Sequence, residues 1–456
     1  MFGHATAPES SSLGLRDTKI PPSLNGHATT LAPTTQEQAT VTPFPGTKPD
    51  EDKVTTEPVS APAAIERSEP AHTPLTRAII GGEAVQSALG EKNVFTRARH
   101  WVTRSKAYGA TIVIDLGTQN TKMRINKHEI LVEPTFVCVD MSSGEKVVTF
   151  IGEQAKRGWG KDTRNSRVIC PMAEGVVKDH DNTKHLLRHM LERYTSMFGM
   201  VPMRSTVLFA VPTGTEQTNA LAAERVITEA WKPAKVMVVD EIMAAAVGTG
   251  ADTYDPDGVS VIDFGGGTVN FGVIARNDLA ENGYLCVKGG GRAMNHAIIA
   301  MVQRELKTTI GEAQAEEIKE AVGYAVMPSD NPIFHFGGRV RSDRIDKLER
   351  RSVYAAQVHE AIKPQLQEIY DGVERLLSTV PPEMSGSILD KGAYLTGGGS
   401  ALKNLSEGIR INTGLETVVA TNAREAVVTG LWKIGQSEEL MKKMAVAPRN
   451  WVSKAI

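Results

Sequence analysis

Little in this 456-residue sequence points to a membrane span, a disulfide framework or a nucleic-acid partner. Cysteine is scarce: Cys138, Cys170 and Cys286 lie far apart and form no CxxC pair. That spacing suggests neither a zinc site nor a disulfide scaffold, and the three read as reduced core thiols of a cytoplasmic protein. Neither sign of charge is in excess: the formal net charge is -2, so no basic surface for nucleic acid is expected. No run approaches the ~18 consecutive apolar residues of a membrane span. The N-terminus has no basic segment leading into an apolar stretch, so no secretory signal is expected. The GxxxxGK(S/T) loop is missing, and no GxGxxG opens a strand–helix unit, which removes support for P-loop and dinucleotide-binding readings.

What is there suits a sizeable soluble body. The apolar fraction of 41% is adequate for a core, and the length allows two or three domains. Composition breaks near residue 80. Residues 1–82 are rich in Pro, Thr and Ala with no hydrophobic period, and such a segment buries too little apolar surface to offset its ordering entropy, so it is expected to be disordered. Residues 83–106 read as a linker or a short basic amphipathic helix, with Val94, Phe95, Trp101 and Val102 among Arg97, Arg99, Arg104 and Lys106. The alternatives for that helix are docking on the folded body and contact with an anionic membrane surface.

From residue 109 onward, short β-branched apolar runs (ATIVIDLG, STVLFAVP, KVMVVDE, VSVIDFGGG, GAYLTGGG) alternate with segments of helical period. The expected class is α/β. Three of these runs end in glycine-rich turns: Asp115-Leu116-Gly117-Thr118-Gln119-Asn120, Asp263-Phe264-Gly265-Gly266-Gly267-Thr268, and Thr396-Gly397-Gly398-Gly399-Ser400. Glycine lets a backbone turn tightly and approach a ligand, and successive amides then converge on one anion. A carboxylate at the strand end can hold a magnesium ion through its water shell. One such loop is an ordinary turn about as often as a binding site. Two Asp-x-Gly loops in successive strand–turn units point instead to duplicated halves that face each other across a phosphate ligand.

Between those loops, Val239-Asp240-Glu241-Ile242 ends an apolar run in two carboxylates, followed by the small-residue segment Met243–Gly248. Both acids suit a helix N-terminus, where negative charge is favoured. Asp240 reads as the cap. Glu241, set between two phosphate loops, reads as the residue that orients a water for attack on a terminal phosphate.

Together these motifs resemble MreB-type bacterial actins. IDLGTQNT resembles the family's first phosphate loop, VIDFGGGTVNFGVIA its second, VDEIMAAAVGTGA its connecting segment and AYLTGGGSALKNL its adenosine-side motif, in order across about residues 107–435. The resemblance implies an actin-like fold of two similar lobes around a nucleotide cleft, with ATP and Mg2+ as cofactors. By residue, it implies Asp115 and Asp263 for magnesium through water, and Gly117, Thr118, Gln119, Asn120, Gly265, Gly266, Gly267 and Thr268 for the phosphates. It places Gly290, Gly291, Glu316, Lys319, Gly398, Gly399 and Ser400 around the adenosine. Catalysis would fall to Glu241 with Thr268 and Asp263. The implied large subdomains are 107–133, 176–246 and 416–456 in the first lobe and 247–282 and 350–415 in the second; the small ones are 134–175 and 283–349. Two departures stand out. Ile242 occupies the position where the family usually has proline, and Trp159 sits among Arg157, Lys161 and Arg164 where relatives carry an apolar membrane-inserting pair, leaving it open to lipid contact or packing. The long N-terminal extension is compatible with a specialised relative of the MamK type.

The function so implied is a slow ATPase that polymerises with itself into cytoplasmic cytoskeletal filaments, ATP favouring assembly and hydrolysis disassembly. A membrane surface or membrane protein stays open as a second partner. The alternative is a chaperone-type or regulatory ATPase of the same superfamily that does not polymerise. A chaperone would carry a substrate-binding module after the ATPase, and only about twenty residues follow the last recognisable helix. A small-molecule kinase would need an acceptor pocket with its own base, for which no candidate besides Glu241 appears.

Overall fold

The structure is a computed structural model that describes residues 105–340 and 347–452. The extension over 1–82 and the segment 83–104 lie outside the described residues. Residues 105–106, expected in a linker or helix, instead open the strand Ser105–Tyr108, which pairs in parallel with Met200–Met203.

The apolar runs become the inner strands of two sheets. The strands are β1 (Thr111–Leu116), β2 (Asn120–Ile125), β3 (Leu131–Pro134), β4 (Thr206–Val211), β5 (Lys235–Asp240), β6 (Val259–Phe264), β7 (Thr268–Ala275), β8 (Asp278–Lys288), β9 (Ala393–Thr396), β10 (Thr417–Val419) and β11 (Ala445–Val446). The first sheet has the order β11-β5-β4-β1-β2-β3 and the second β8-β7-β6-β9-β10. In the first, β1 turns back through the antiparallel meander β1-β2-β3 and is flanked on its other side by parallel β4 and then β5. In the second, β6 turns back through β6-β7-β8 and is flanked by parallel β9 and then β10. Five strands of each sheet thus follow one plan, which is the duplication expected from the repeated Asp-x-Gly units. Parallel strands buried on both faces need continuous apolar sequence, and β1, β4 and β6 are buried almost throughout.

Five helices position the site: α1 (Glu153–Arg157), α2 (Glu241–Thr249), α3 (Gly290–Leu306), α4 (Glu312–Val322) and α5 (Ala426–Gln436). α2 and α5 lie between the two sheets. Their apolar residues, including Ile242, Ala244, Ala245, Val427 and Leu431, share one core with Val113, Leu208 and Val239 of the first sheet and Val261 and Ile274 of the second. The small residues of α2 allow the two helices to meet backbone to backbone, where Gly430 faces the Ala244 carbonyl and Gly248 faces that of Ala426.

Two small three-stranded sheets flank these helices: Val147–Ile151, Val137–Asp140 and Ser166–Ile169 beside α1, and Thr308–Thr309, Ile333–Val340 and Lys347–Tyr354 beside α3 and α4. The segment after residue 435, which shows no clear pattern in sequence, forms the helix Glu438–Met444 and then β11 on the edge of the first sheet. Trp451 closes it, buried, with its Nε1 donating to the Thr215 carbonyl at 2.8 Å. Among the described residues no helix is long and apolar enough to cross a membrane.

Candidate functional site

Because β1–β2 and β6–β7 are equivalent hairpins, their turns come to face each other. The turn at Gly117–Gln119 and the turn at Gly265–Gly267 meet closely: a Cβ on Gly267 would lie 2.7 Å from Thr118 Oγ1, and one on Gly266 would lie 2.5 Å from Gln119 Cγ. The first turn is tied down by the Thr135 hydroxyl, which donates to the Gly117 carbonyl at 2.8 Å, and by the Gly175 amide, which donates to Thr118 Oγ1 at 3.1 Å. The second is seated on the start of α3. The amides of Gly289, Gly291 and Arg292 donate to the carbonyls of Gly267, Gly265 and Gly266 at 2.7, 3.1 and 2.9 Å. Since carbonyl and amide point oppositely in each planar peptide, this docking turns the loop's own amides away from α3.

These turns border a cavity of about 550 Å³ lined by Asp115, Gly117, Thr118, Gln119, Asn120, Glu241, Asp263, Gly265, Gly266, Gly291, Glu316, Lys319, Gly398 and Gly399, all expected from the sequence. Gly267 and Thr268 border a smaller space of about 30 Å³ that shares Asp115, Gly117, Thr118, Glu241, Gly265 and Gly266 with the larger one. Two residues fall elsewhere. Gly290 has a φ of +39° and is packed beneath the second turn, where a Cβ would come within 2.5 Å of the Gly265 carbonyl; its glycine serves that docking. Ser400 is buried and its hydroxyl donates to the Gly397 carbonyl at 2.7 Å, which closes the third glycine turn. Glu316 and Lys319 line the cavity but have protein partners. Glu316 pairs with Lys156 of α1 at 3.0 Å, and Lys319 Nζ donates to the Gly291 carbonyl and to Asn295 Oδ1.

Three carboxylates converge at the hairpin end. Asp115 and Asp263 are the penultimate residues of β1 and β6 and only 4% and 3% exposed. Asp263 accepts a hydrogen bond from the Thr396 hydroxyl at 2.6 Å. Glu241 is the first residue of α2 and accepts from Asn270 Nδ2 at 3.2 Å. Burial, reinforced by the negative charges of Asp263 and Asp115, holds the Glu241 carboxyl well above the usual range. Burial likewise pushes Asp263 up to about 6; the Thr396 bond opposes it and the Asp115 charge adds to it. Asp240 is the helix cap, accepting from the Ile242 amide at 3.1 Å and from the Thr213 hydroxyl. A proline at 242 would have no amide to donate in this bond, so the departure at Ile242 brings a capping contact with it. Its side chain packs fully buried against Gly272.

Lys122, Lys156, Lys403, Arg424 and Glu425 also line the cavity and were not singled out from sequence. Of these only Lys122 carried a readable signal. β2 alternates between half-exposed and buried positions, so Lys122 shares a face with Asn120, a residue expected at the phosphates. The others come from distant segments that only the tertiary fold assembles. Trp159 packs at 4.5 Å between ring centroids on Phe136, with the Arg292 guanidinium 5.9 Å above its ring.

Oxygen donors of this kind suit a hard divalent cation, which would offset both the burial and the mutual repulsion that raise Glu241 and Asp263. Among the described residues no cluster of three or more His, Cys, Asp or Glu is close enough to hold a metal directly. Binding through a water shell to Asp115 and Asp263 is the arrangement that fits.

Comparison with known proteins agrees with this architecture. The family model described as MreB/Mbl protein matches residues 109–443. The cell shape-determining protein MreB of Escherichia coli strain K12 is 32% identical over 323 residues, which covers 70% of this chain and 90% of that protein. The cell shape-determining protein Mbl of Bacillus subtilis strain 168 is 30% identical over 325 residues, covering 71% and 95%. Among solved structures, MreB5 of Spiroplasma citri bound to ADP superposes with a TM-score of 0.67 at 24% identity, over 74% of this chain and 98% of that one. The MamK double helical filament superposes with a TM-score of 0.60 at 16% identity, over 73% and 99%. These neighbours share the actin-like fold, and with the family match spanning nearly all of the described residues, the chain belongs to the MreB/Mbl family of actin-like bacterial cytoskeletal proteins.

Proposed function

We propose that the chain is an ATPase that assembles with copies of itself into cytoplasmic filaments, with ATP favouring assembly and hydrolysis favouring disassembly. The observation that carries this reading is the pair of equivalent carboxylate-headed hairpins, Asp115 and Asp263, facing each other across one cavity of about 550 Å³. The volume is in the usual range for a small-molecule site. Relatives lend support: MreB5 of Spiroplasma citri has been solved with ADP and with AMPPNP, and MamK as a double helical filament. In this reading residues 107–133, 176–246 and 416–456, and residues 247–282 and 350–415, are the large subdomains that carry the hairpins. Residues 134–175 and 283–349 are the small subdomains above the cleft.

Asp115 and Asp263 hold the water shell of magnesium, which supplies positive charge to the phosphates when bound. The amides of the two glycine turns, with Thr118, Asn120 and Gln119, receive the phosphate oxygens, and Thr268 stands at the edge of the smaller space. That space of about 30 Å³ has room for roughly two water molecules. Glu241 borders it and orients the attacking water; burial and the charges of Asp263 and Asp115 raise its carboxyl, which makes it a better proton acceptor than a free glutamate. Gly291, Gly398 and Gly399 flank the adenosine, with Glu316 and Lys319 beside it in the cavity wall.

The test is to add ATP and Mg2+ to the purified protein and follow light scattering and phosphate release together. Scattering that rises before phosphate appears supports the reading, and Glu241→Ala should keep nucleotide binding while slowing phosphate release and prolonging the polymer. ATP turnover with no polymer at any protein concentration would favour the non-polymerising ATPase instead.

A further inference from the structure

We propose that Lys122 is a built-in counter-cation of the phosphate end, a direct ligand of the nucleotide's phosphates that lets this site take nucleotide without a divalent metal. The inference rests on the nucleotide-binding reading and deepens it. Its basis is where the one ammonium at the carboxylate end sits and what it has left to bind.

Strand β2 delivers Lys122 to the cavity because of its period. Thr121, Met123 and Ile125 are buried in the first sheet, while Asn120 and Lys122 share the other face. The side chain is 17% exposed, and Nζ donates to Asp115 Oδ2 at 2.6 Å. The ion pair with Asp115 holds the ammonium at the wall of the cavity, where it lies among the lining residues with Glu241 and Asp263. The three other lysines that line the cavity have partners of a different kind. Lys156 is bound to Glu316, Lys319 to the Gly291 carbonyl and Asn295, and Lys403 to the Ala321 carbonyl and the Tyr324 ring. Arg424 borders the cavity from the segment beside the third glycine turn.

An ammonium has three N–H donors. Lys122 spends one on Asp115, and the remaining two have no acceptor in the described protein. Three buried carboxyls, Asp115, Glu241 and Asp263, border the cavity beside this one ammonium, and their negative charge opposes entry of a polyanion unless a cation stands between. Lys122 is that cation within the chain. A purely structural ion pair would satisfy Asp115 equally well from inside the sheet; it would not place its donors on the wall of the cavity.

The experiment titrates a fluorescent N-methylanthraniloyl ATP analogue into the purified full-length protein, once with Mg2+ and once with EDTA. Wild type is expected to bind in both. Lys122→Met, close in length and apolar, should weaken binding in EDTA by at least about 10-fold, the scale of a charge-assisted hydrogen bond, and weaken it less in Mg2+. Lys122→Arg should keep part of the EDTA affinity. Equal affinities of Lys122→Met and wild type in EDTA would overturn the inference. So would wild-type binding that appears only with Mg2+, a result that needs no variant to fold. Wild-type protein that binds in neither buffer would overturn the nucleotide reading itself, and this inference with it.

Discussion

Replacing Gly430 by alanine tests whether the centre of the molecule is held by backbone contact. A Cβ at this position would lie 1.7 Å from the Ala244 carbonyl oxygen, 2.6 Å from its carbon and 2.9 Å from the Gly248 nitrogen. All three are main-chain atoms of α2, so no side chain can swing aside. To reach an ordinary contact of 3.4 Å, α5 must part from α2 by about 1.7 Å locally, 3.4 less 1.7. A gap of that size forfeits much of the dispersion contact of Val427 and Leu431 with Ala244 and Ala245. Overpacking typically destabilises by about 1–3 kcal/mol, and a clash with backbone belongs at the top of that range. Alanine gains about 1 kcal/mol over glycine in helix propensity, leaving a net loss of about 2 kcal/mol. Gly386, exposed within the helix Pro382–Lys391 with nothing near its would-be Cβ, isolates the propensity effect. Gly386→Ala should therefore stabilise by up to about 1 kcal/mol. Thermal melts of the two variants should move in opposite directions from wild type. A Gly430→Ala protein that melts at or above wild type would refute the packing argument. Because α2 begins at Glu241, the same substitution should also alter the rate of phosphate release, which Gly386→Ala should leave alone.

Two further outcomes follow from charge. The Asp263 carboxyl has a folded pKa of about 6 against an unfolded value near 4, so between those values the native state binds the extra proton and this group's contribution to stability falls as pH rises from about 4 to about 6. The shift amounts to about 3 kcal/mol; in EDTA and without nucleotide, Asp263→Asn should flatten that part of the pH–stability curve, and an unchanged curve would contradict the assignment. The Lys156–Glu316 ion pair, half-buried between α1 and α4, spans the cavity from one small sheet to the other. Lys156→Ala should speed release of fluorescent ADP by about 5-fold or more, as expected for a charge-assisted bond worth at least about 1 kcal/mol, and the exchanged pair Lys156→Glu with Glu316→Lys should slow it again; release that ignores all three proteins would show the pair to be incidental.

Much of the fold was legible because the inner strands combine two signals that reinforce each other. ATIVIDLG and VSVIDFGGG are continuous apolar runs that stop at glycine, as strands buried on both faces must, and GAYLTGGG follows the same plan with Tyr394 exposed. The repeated Asp-x-Gly unit also foretold the duplicated topology, since two copies of one strand–turn–strand plan place their acids at the same height in each sheet. The cavity's other residues were hidden for different reasons. Lys122 was readable from the alternation of β2, which places it on the face of Asn120. Lys156, Lys403 and Arg424 are each unremarkable in their own segments and acquire meaning only where α1, the third glycine turn and the start of α5 converge. Gly290 and Ser400 show that glycine and serine beside a binding loop serve its packing as readily as its ligand. Residues 445–452 have too short a period to be read, and it is the buried Trp451 ring that anchors them.

The electrostatics of the cleft constrain how nucleotide and stability are connected. Asp115, Glu241 and Asp263 are brought together by three elements, β1, α2 and β6, and burial, reinforced by their mutual repulsion, raises the carboxyls of Glu241 and Asp263. The two lobes meet along the same elements, because α2 and α5 form the core shared by both sheets. Repulsion at the head of α2 therefore acts on the joint between the lobes as well as on the ligand site. A nucleotide that brings a cation relieves it, and this relief is part of its affinity; where Asp263 already carries a proton, that proton must leave before the cation can take its place, so binding should be weaker in acid. The expected outcome is a larger rise in melting temperature at pH 7.5 than at pH 5.5 at the same concentrations of ATP and Mg2+, since ligand stabilises by RT ln(1 + [L]/Kd) and Kd rises where protons compete with the cation for the cleft. Equal rises at both pH values would separate the joint from the charges and leave α2 as packing alone.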